Sequence, residues 1–272
     1  MKHYLHPELA TRAVQVLLVG GGGTGSRVLE NLVCLHRAMV ALGHPAGLIV
    51  TLVDDDRVST ANVGRQAFYP SDVGSYKAIT LINRANMAMG TTQWHAEVSK
   101  ITAATTGATK FDMVIGAVDN RKARHAILRM LENCGYGKRY YLDLGNRSAD
   151  GQVLLGEVAA KRSKDDDPWR LPHIGEMFPE LIDSKRDLLE DDTPSCSLAE
   201  ALEKQSLFIN PAVSLFASNL LWQLFTHGAI EYQGAFINLD QMMVMPIAID
   251  KETWTRFGVK RNGNRKKNSV VA

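Results

Sequence analysis

Unbroken apolar runs alternate with helically spaced stretches through the first half of the chain. "VQVLLV" (14–19) is wholly apolar but for one Gln and stops at glycines. Such a run reads as a strand buried on both faces, as in a parallel sheet. "GSRVLENLVCLHRAMVAL" (25–42) carries apolar residues at 28, 29, 32, 33, 35, 39 and 40, a helical period. "GLIVTLV" (47–53), "TTQWHAEVS" (91–99), "FDMVIGAV" (111–118) and "RYYLDLG" (139–145) read as further strands. Between them "YKAITLINRANMAM" (76–89) and "RKARHAILRMLENCG" (121–135) read as helices, the second closing on Gly135 as a C-cap. This alternation predicts a three-layer α/β fold around a mostly parallel sheet.

The pattern changes after Asn146. "GQVLLGEVAA" (151–160) starts a different layout, and 161–195 is charged and broken by Pro. It reads as a long exposed excursion, a crossover loop with one short helix. "LFINPAVSLFASNLLWQLF" (207–225) reads as a buried helix beginning near Pro211, either core or interface. "GAFINLDQMMVMPIAI" (234–249) reads as two strands with a turn near Asp240, so a mixed or antiparallel sheet extends the fold. The last stretch, 259–272, is basic without an apolar face and reads as a disordered tail.

Bulk properties exclude more than they identify. The 272 residues, 45% hydrophobic, can bury a sizeable core. A net charge of +2 does not point to nucleic acid. The cysteines at 34, 134 and 196 form no CxxC pair, which argues against a disulfide scaffold and a zinc ribbon. No apolar run reaches the ~20 residues of a membrane span, and the N-terminus lacks the apolar core of a signal peptide. The expected setting is a reducing compartment, the bacterial cytoplasm. Cys34 and Cys134 fall in predicted helices and are expected at or near the core.

The turn after the first strand carries the first chemistry. Gly20, Gly22 and Gly25 fit G-x-G-x-x-G between a strand and a helix. Glycines there let backbone N–H groups reach a phosphate at the helix N-terminus. The plain alternative is a flexible turn without ligand. The second strand then ends in Asp54, Asp55 and Asp56. One acid at that point bonds a ribose; three are more than a nicotinamide cofactor needs. On an extended strand, positions i and i+2 share a side, so Asp54 and Asp56 are expected in one crevice and Asp55 in solvent. Arg65 and Lys77 follow, the cations that cleavage of a phosphoanhydride calls for. Asp119, just past the fourth strand, can hold Mg²⁺ or cap the helix starting near Arg121.

Taken together, "VLLVGGGGTGS", "VTLVDDDRVSTANVGRQAF", Lys77 and "GAVDNRKAR" resemble the ThiF/MoeB/ubiquitin-activating E1 family over residues 14–124. A weaker resemblance continues to about residue 249. The family pattern is G-x-G-G-x-G, then D-x-D-x-V-x-x-x-N-x-x-R-Q, a Lys, and D-N. The resemblance implies a Rossmann-like domain over 1–146, a continuation over 147–258, and adenylation of a C-terminal carboxylate with ATP and Mg²⁺. It implies that Gly20, Gly22, Gly23 and Gly25 cradle the phosphates and Asp54 takes the ribose. Asp56 faces nucleotide and metal, and Asn62, Arg65, Gln66 and Lys77 surround the triphosphate. Asp119 holds the metal, with Asn120 beside it. Cys196 in "PSCSLAEA" resembles a family cysteine that takes up the activated acyl group or sulfur; the alternative is an unreactive Cys at a loop–helix junction. The implied partner is a small ubiquitin-like protein with a flexible tail, and the implied assembly is a homodimer.

Three departures qualify this. The family's zinc-binding cysteine pairs are missing, so no structural zinc is expected. The N-terminal segment that sends an Arg to the partner's ATP is missing, with Arg12 as the candidate substitute. Glu200 replaces a glycine near Cys196. Such shortened members resemble the ThiF-like proteins of the PRTRC system. Rival readings are a non-catalytic nucleotide-binding subunit, a NAD-dependent oxidoreductase, and the tRNA-dehydrating branch of the same family.

Overall fold

A computed structural model describes residues 1–102, 104–105, 107–163, 167–183, 185 and 205–259. The strands are β1 (His3–Tyr4), β2 (Val14–Val19), β3 (Leu48–Val53), β4 (His95–Glu97), β5 (Met113–Gly116), β6 (Lys138–Asn146), β7 (Asp150–Ala159), β8 (Ala229–Ile230), β9 (Tyr232–Asn238) and β10 (Met243–Ala248). The helices are α1 (Gly23–Ala41), α2 (Lys77–Met89), α3 (Arg121–Glu132), α4 (Ile174–Met177), α5 (Ile209–His227) and α6 (Lys251–Arg256).

Eight strands form one sheet in the order β10-β9-β7-β6-β5-β2-β3-β4. From β4 to β6 every neighbouring pair is parallel, and from β6 outward to β10 every pair is antiparallel. The apolar runs of β2, β3 and β5 are buried because helices cover both faces. From β2 the chain moves to β3 through α1, while from β5 it moves the opposite way to β6 through α3. Right-handed crossovers therefore put α1 and α3 on opposite faces and open a crevice beyond the carboxyl ends of β2 and β5. The expected Rossmann-like core with an antiparallel extension is the fold observed.

Two tertiary features hold the elements that border this crevice. Helix α5 lies against α1 and the antiparallel strands, with Val213, Ala217, Leu221 and Leu224 buried. Helix α3 is locked to β6 by a buried ion pair, Arg124 Nε to Asp143 Oδ1 at 3.1 Å, and the Tyr141 hydroxyl donates to the same oxygen at 2.9 Å. Burial, and next the charge of Asp143, push the Tyr141 phenol well above its ordinary pKa, so it remains a donor.

Some expectations need correction. The excursion after 160 is not uniformly exposed. Leu171, Ile174 and Met177 are buried, and Arg170 forks onto Glu176. Its apolar residues are spaced as one short helical turn, too brief to stand out as a period in so charged a stretch. Cys134 is buried, but Cys34 is exposed on the outer side of α1. Cys196, Glu200 and the tail from 260 lie outside the described residues.

Candidate functional site

The crevice at the switch point encloses about 880 Å³. Gly20, Gly22, Gly23, Asp54, Asp56, Arg65, Gln66, Lys77, Asp119 and Asn120 all line it. Five separate segments of sequence thus converge on one cavity.

The glycine turn is shaped by close backbone approach. Gly20 has φ +94°, and a Cβ on Gly25 would lie 1.9 Å from the Gly20 carbonyl oxygen. Gly25 therefore packs α1 onto the strand and does not line the cavity. Gly22 is different: a Cβ there would meet no atom within 4 Å and would project into the crevice. This open cradle at the start of a 19-residue helix fits a phosphate group.

Asp54 sits at the end of β3 and accepts from the Gly21 N–H at 2.6 Å and the Asp56 N–H at 2.9 Å. Burial raises its pKa above the ordinary value; these two donors and Lys77 oppose the shift. Asp56 is exposed and meets the Lys77 ammonium at 2.9 Å. Asp55 also lines the crevice, half-buried, 3.3 Å from Lys100, and does not turn out to solvent as expected. The alternation of a strand no longer governs these positions, because β3 stops at Val53.

The loop from 57 to 76 brings the next group. Asn62 does not reach the cavity. Its Oδ1 accepts from the Ser59 N–H at 2.9 Å, and it closes a short 3₁₀ turn. That turn positions Arg65 and Gln66, since the Gln66 N–H donates to the Asn62 carbonyl at 2.9 Å. Two buried polar atoms here have no partner among the described residues, Arg65 Nε and Gln66 Oε1. Burial lowers the Arg65 pKa. A cavity edged by unsatisfied donors and acceptors is suited to a polar, anionic ligand.

The capping question at α3 has a definite answer. Asn120, and not Asp119, is the N-cap: its side chain accepts from the Ala123 N–H at 2.8 Å. Its amide also donates to Asp119 Oδ1 at 3.0 Å. Asp119 is exposed at the cavity edge with its other oxygen outside that bond. A carboxylate with one oxygen available beside a phosphate cradle fits the way Mg²⁺ is held with a nucleotide.

Sequence reasoning missed a set of neutral side chains on the opposite wall. Arg65 Nη1 donates to Gln205 Oε1 at 3.1 Å, and Gln205 Nε2 donates to Asn146 Oδ1 at 3.2 Å. Asn146 Nδ2 donates to Asn210 Oδ1 at 2.6 Å, which also accepts from the Thr24 hydroxyl at 2.9 Å. Residues 24, 146 and the nearby pair 205 and 210 come from three distant parts of the sequence, and no motif links them. His125 is exposed and lines the crevice with Lys122. Arg12 is engaged elsewhere, in a two-pronged bond to Asp112 at 2.7 Å on each arm.

Comparison with known proteins agrees with this geometry. The ThiF family pattern matches residues 8–166. No curated protein sequence matches the chain significantly. Among solved structures, PaaA is similar with a TM-score of 0.57 and 11% identity over 87% of this chain and 73% of its own. E. coli MccB with ATP is similar with a TM-score of 0.54 and 13% identity over 89% of this chain and 65% of its own. TcdA (CsdL) aligns over only 42% of this chain and 43% of its own, at 24% identity and a TM-score of 0.35. The chain thus spans less than two thirds of the length of two of these three relatives. With the family pattern covering more than half of the sequence and its motifs gathered around one crevice, the chain belongs to the ThiF family.

Proposed function

We propose that this protein adenylates the C-terminal carboxylate of a small ubiquitin-like or sulfur-carrier-like protein. The observation that carries this reading is the convergence of Gly22, Asp54, Arg65, Lys77 and Asp119 on one cavity at the sheet's switch point. That set supplies a phosphate cradle, a ribose acceptor, two cations and a metal-binding carboxylate.

In this mechanism Asp54 accepts from the ribose hydroxyls. The N–H groups of the glycine turn and the α1 N-terminus face the phosphates. The partner's carboxylate is already ionised at neutral pH and needs no base. Its oxygen attacks the α-phosphorus, a P–O bond forms, and the bond to the bridging oxygen breaks as pyrophosphate leaves. Charge moves onto that leaving group, where Arg65 and Lys77 stabilise it. Both are held before the reaction starts, Arg65 by Gln205 and Lys77 by Asp56. Mg²⁺, when bound, would neutralise phosphate charge, and Asp119 is the residue that would hold it.

The acyl group then passes to the Cys196 thiolate or to an external nucleophile, the bond to the phosphate oxygen breaking as AMP leaves. The protein acts as a homodimer in the cytoplasm, and within the family it stands with the PRTRC type. In support of a location away from membranes, no helix among the described residues is long and apolar enough to cross one. The test is exchange of labelled pyrophosphate into ATP in the presence of a small protein with a flexible C-terminal tail encoded beside this chain. Exchange that needs the partner's terminal carboxylate supports activation. ATP binding without exchange with any such protein overturns it in favour of a non-catalytic nucleotide-binding subunit.

A further inference from the structure

At the far end of β6 from the crevice, side chains from two distant parts of the sequence meet. His3 and His6 come from the N-terminal segment and Glu157 from β7. One ligand atom from each lies within 4.8 Å of the others. Glu157 is 1% exposed and pairs across the sheet with Tyr140, so the carboxylate and the phenol share a face.

The hydrogen bonds around the cluster hold its members in one orientation. His3 Nε2 bonds the Tyr140 hydroxyl at 2.8 Å, which turns His3 Nδ1 toward Glu157 Oε2. That approach is 3.8 Å, too long for a hydrogen bond. Glu157 Oε2 also accepts from the Leu171 N–H at 2.9 Å, and Oε1 meets His6 Nε2 at 2.7 Å. Ligating histidines and carboxylates in metal sites are steadied by such outer bonds. Two cations stand near Glu157: Lys138 is 3.9 Å from its Oε1 and bonds Asp167 at 2.7 Å, and Arg170 donates to its backbone carbonyl and forks onto Glu176. His6 is partly exposed and gives a route in from solvent.

We infer that His3, His6 and Glu157 form a binding site for one divalent transition-metal ion, with Zn²⁺ the best match. Two imidazoles and a carboxylate suit zinc and leave one position open for water. The ion would fasten the N-terminal segment to β7. That segment is also held without it, through β1–β8 pairing and the N-terminal amine on the Ile249 carbonyl at 2.8 Å. The metal-free chain is therefore expected to fold. This site, with no cysteine among its ligands, is distinct from the family's cysteine-bound zinc.

The test is calorimetric titration of chelator-stripped full-length protein with Zn²⁺. Expected is one ion per chain, with His3→Ala and His6→Ala each weakening uptake at least ~10-fold, and Tyr140→Phe weakening it by about tenfold. Circular dichroism establishes that each variant is folded. X-ray absorption at the zinc edge of the wild-type chain needs no variant, and nitrogen and oxygen neighbours are expected. No uptake by folded protein, uptake indifferent to both histidine changes, or a sulfur-dominated shell would each overturn the inference.

Discussion

Lys77 and Asp56 stand 2.9 Å apart, the lysine side chain nearly closed off from water and the aspartate open to it. The cation of the pair is thus fixed in the wall of the crevice, while its counter-ion can swing away when a phosphate arrives. Lys77→Ala is expected to lower pyrophosphate exchange by roughly 100-fold or more, because a preorganised charge is lost from the leaving-group side. Asp56→Asn keeps the lysine and is expected to cost roughly tenfold or less. Exchange rates at saturating ATP, with folding checked by circular dichroism, separate the two. Equal losses would count against distinct roles.

Asp119 and Asn120 are neighbours with separable work. Asn120→Ala removes the cap of α3 and is expected to cost about 1 kcal/mol of stability. Asp119→Ala removes no cap bond, so its melting temperature should match wild type while its activity falls and its requirement for Mg²⁺ rises. Thermal melts and a Mg²⁺ titration of exchange read both. A large drop in stability on losing Asp119 would contradict the division.

The glycine turn offers a similar contrast. A methyl group on Gly25 would strike the Gly20 carbonyl, so Gly25→Ala should unfold or severely destabilise the chain. A methyl group on Gly22 meets no protein atom and enters the space reserved for phosphate. Gly22→Ala should therefore fold like wild type and bind ATP at least ~10-fold more weakly, a loss on the order of 1.4 kcal/mol. Equilibrium binding of ATP to the two purified variants decides it.

Gln205 touches Arg65 and acts through it. Gln205→Leu removes the acceptor at 3.1 Å and leaves the guanidinium without that anchor. Misplacement of a catalytic cation is expected to lower kcat by roughly tenfold or more. Gln205→Glu restores an acceptor and should recover part of the loss. If both variants behave as wild type, the amide network does not orient Arg65.

Glu176 gives the pH dependence of the packed excursion. Burial would raise its pKa, but its bonds to Arg170 and the charge of His173 outweigh that and hold it below the ordinary 4.5. A carboxylate with a lowered folded pKa adds stability above its unfolded pKa and loses it as pH falls through the folded one. Glu176→Gln should therefore melt at a lower temperature than wild type near neutral pH. The gap should narrow as pH drops below about 4.5. A gap independent of pH would show that the contribution is packing alone.

The order of elements through β6 was legible because both faces of the parallel strands are covered, and unbroken apolar runs mark such strands. Most of the crevice was legible for a related reason: turn glycines, strand-end acids and isolated cations appear as local motifs. What escaped was the neutral network of Thr24, Asn146, Gln205 and Asn210, whose members carry no charge and meet only after α5 packs on α1. Asp55 was expected in solvent but lines the crevice, and of the two roles open to Asp119 the cap of α3 falls to its neighbour Asn120. In both cases the deciding fact was where a strand or helix stopped, which hydrogen bonds set and side-chain periodicity does not.

Strand β6 has a parallel neighbour on one side and an antiparallel neighbour on the other. It ends at Asn146 in the crevice wall and carries Tyr140 near its beginning. The sheet therefore has no seam. A fragment cut after residue 146 would strip one edge of β6 along its whole length and leave nine residues of unpaired backbone facing solvent. The crevice and the outer antiparallel strands are therefore expected to fold and unfold as one piece.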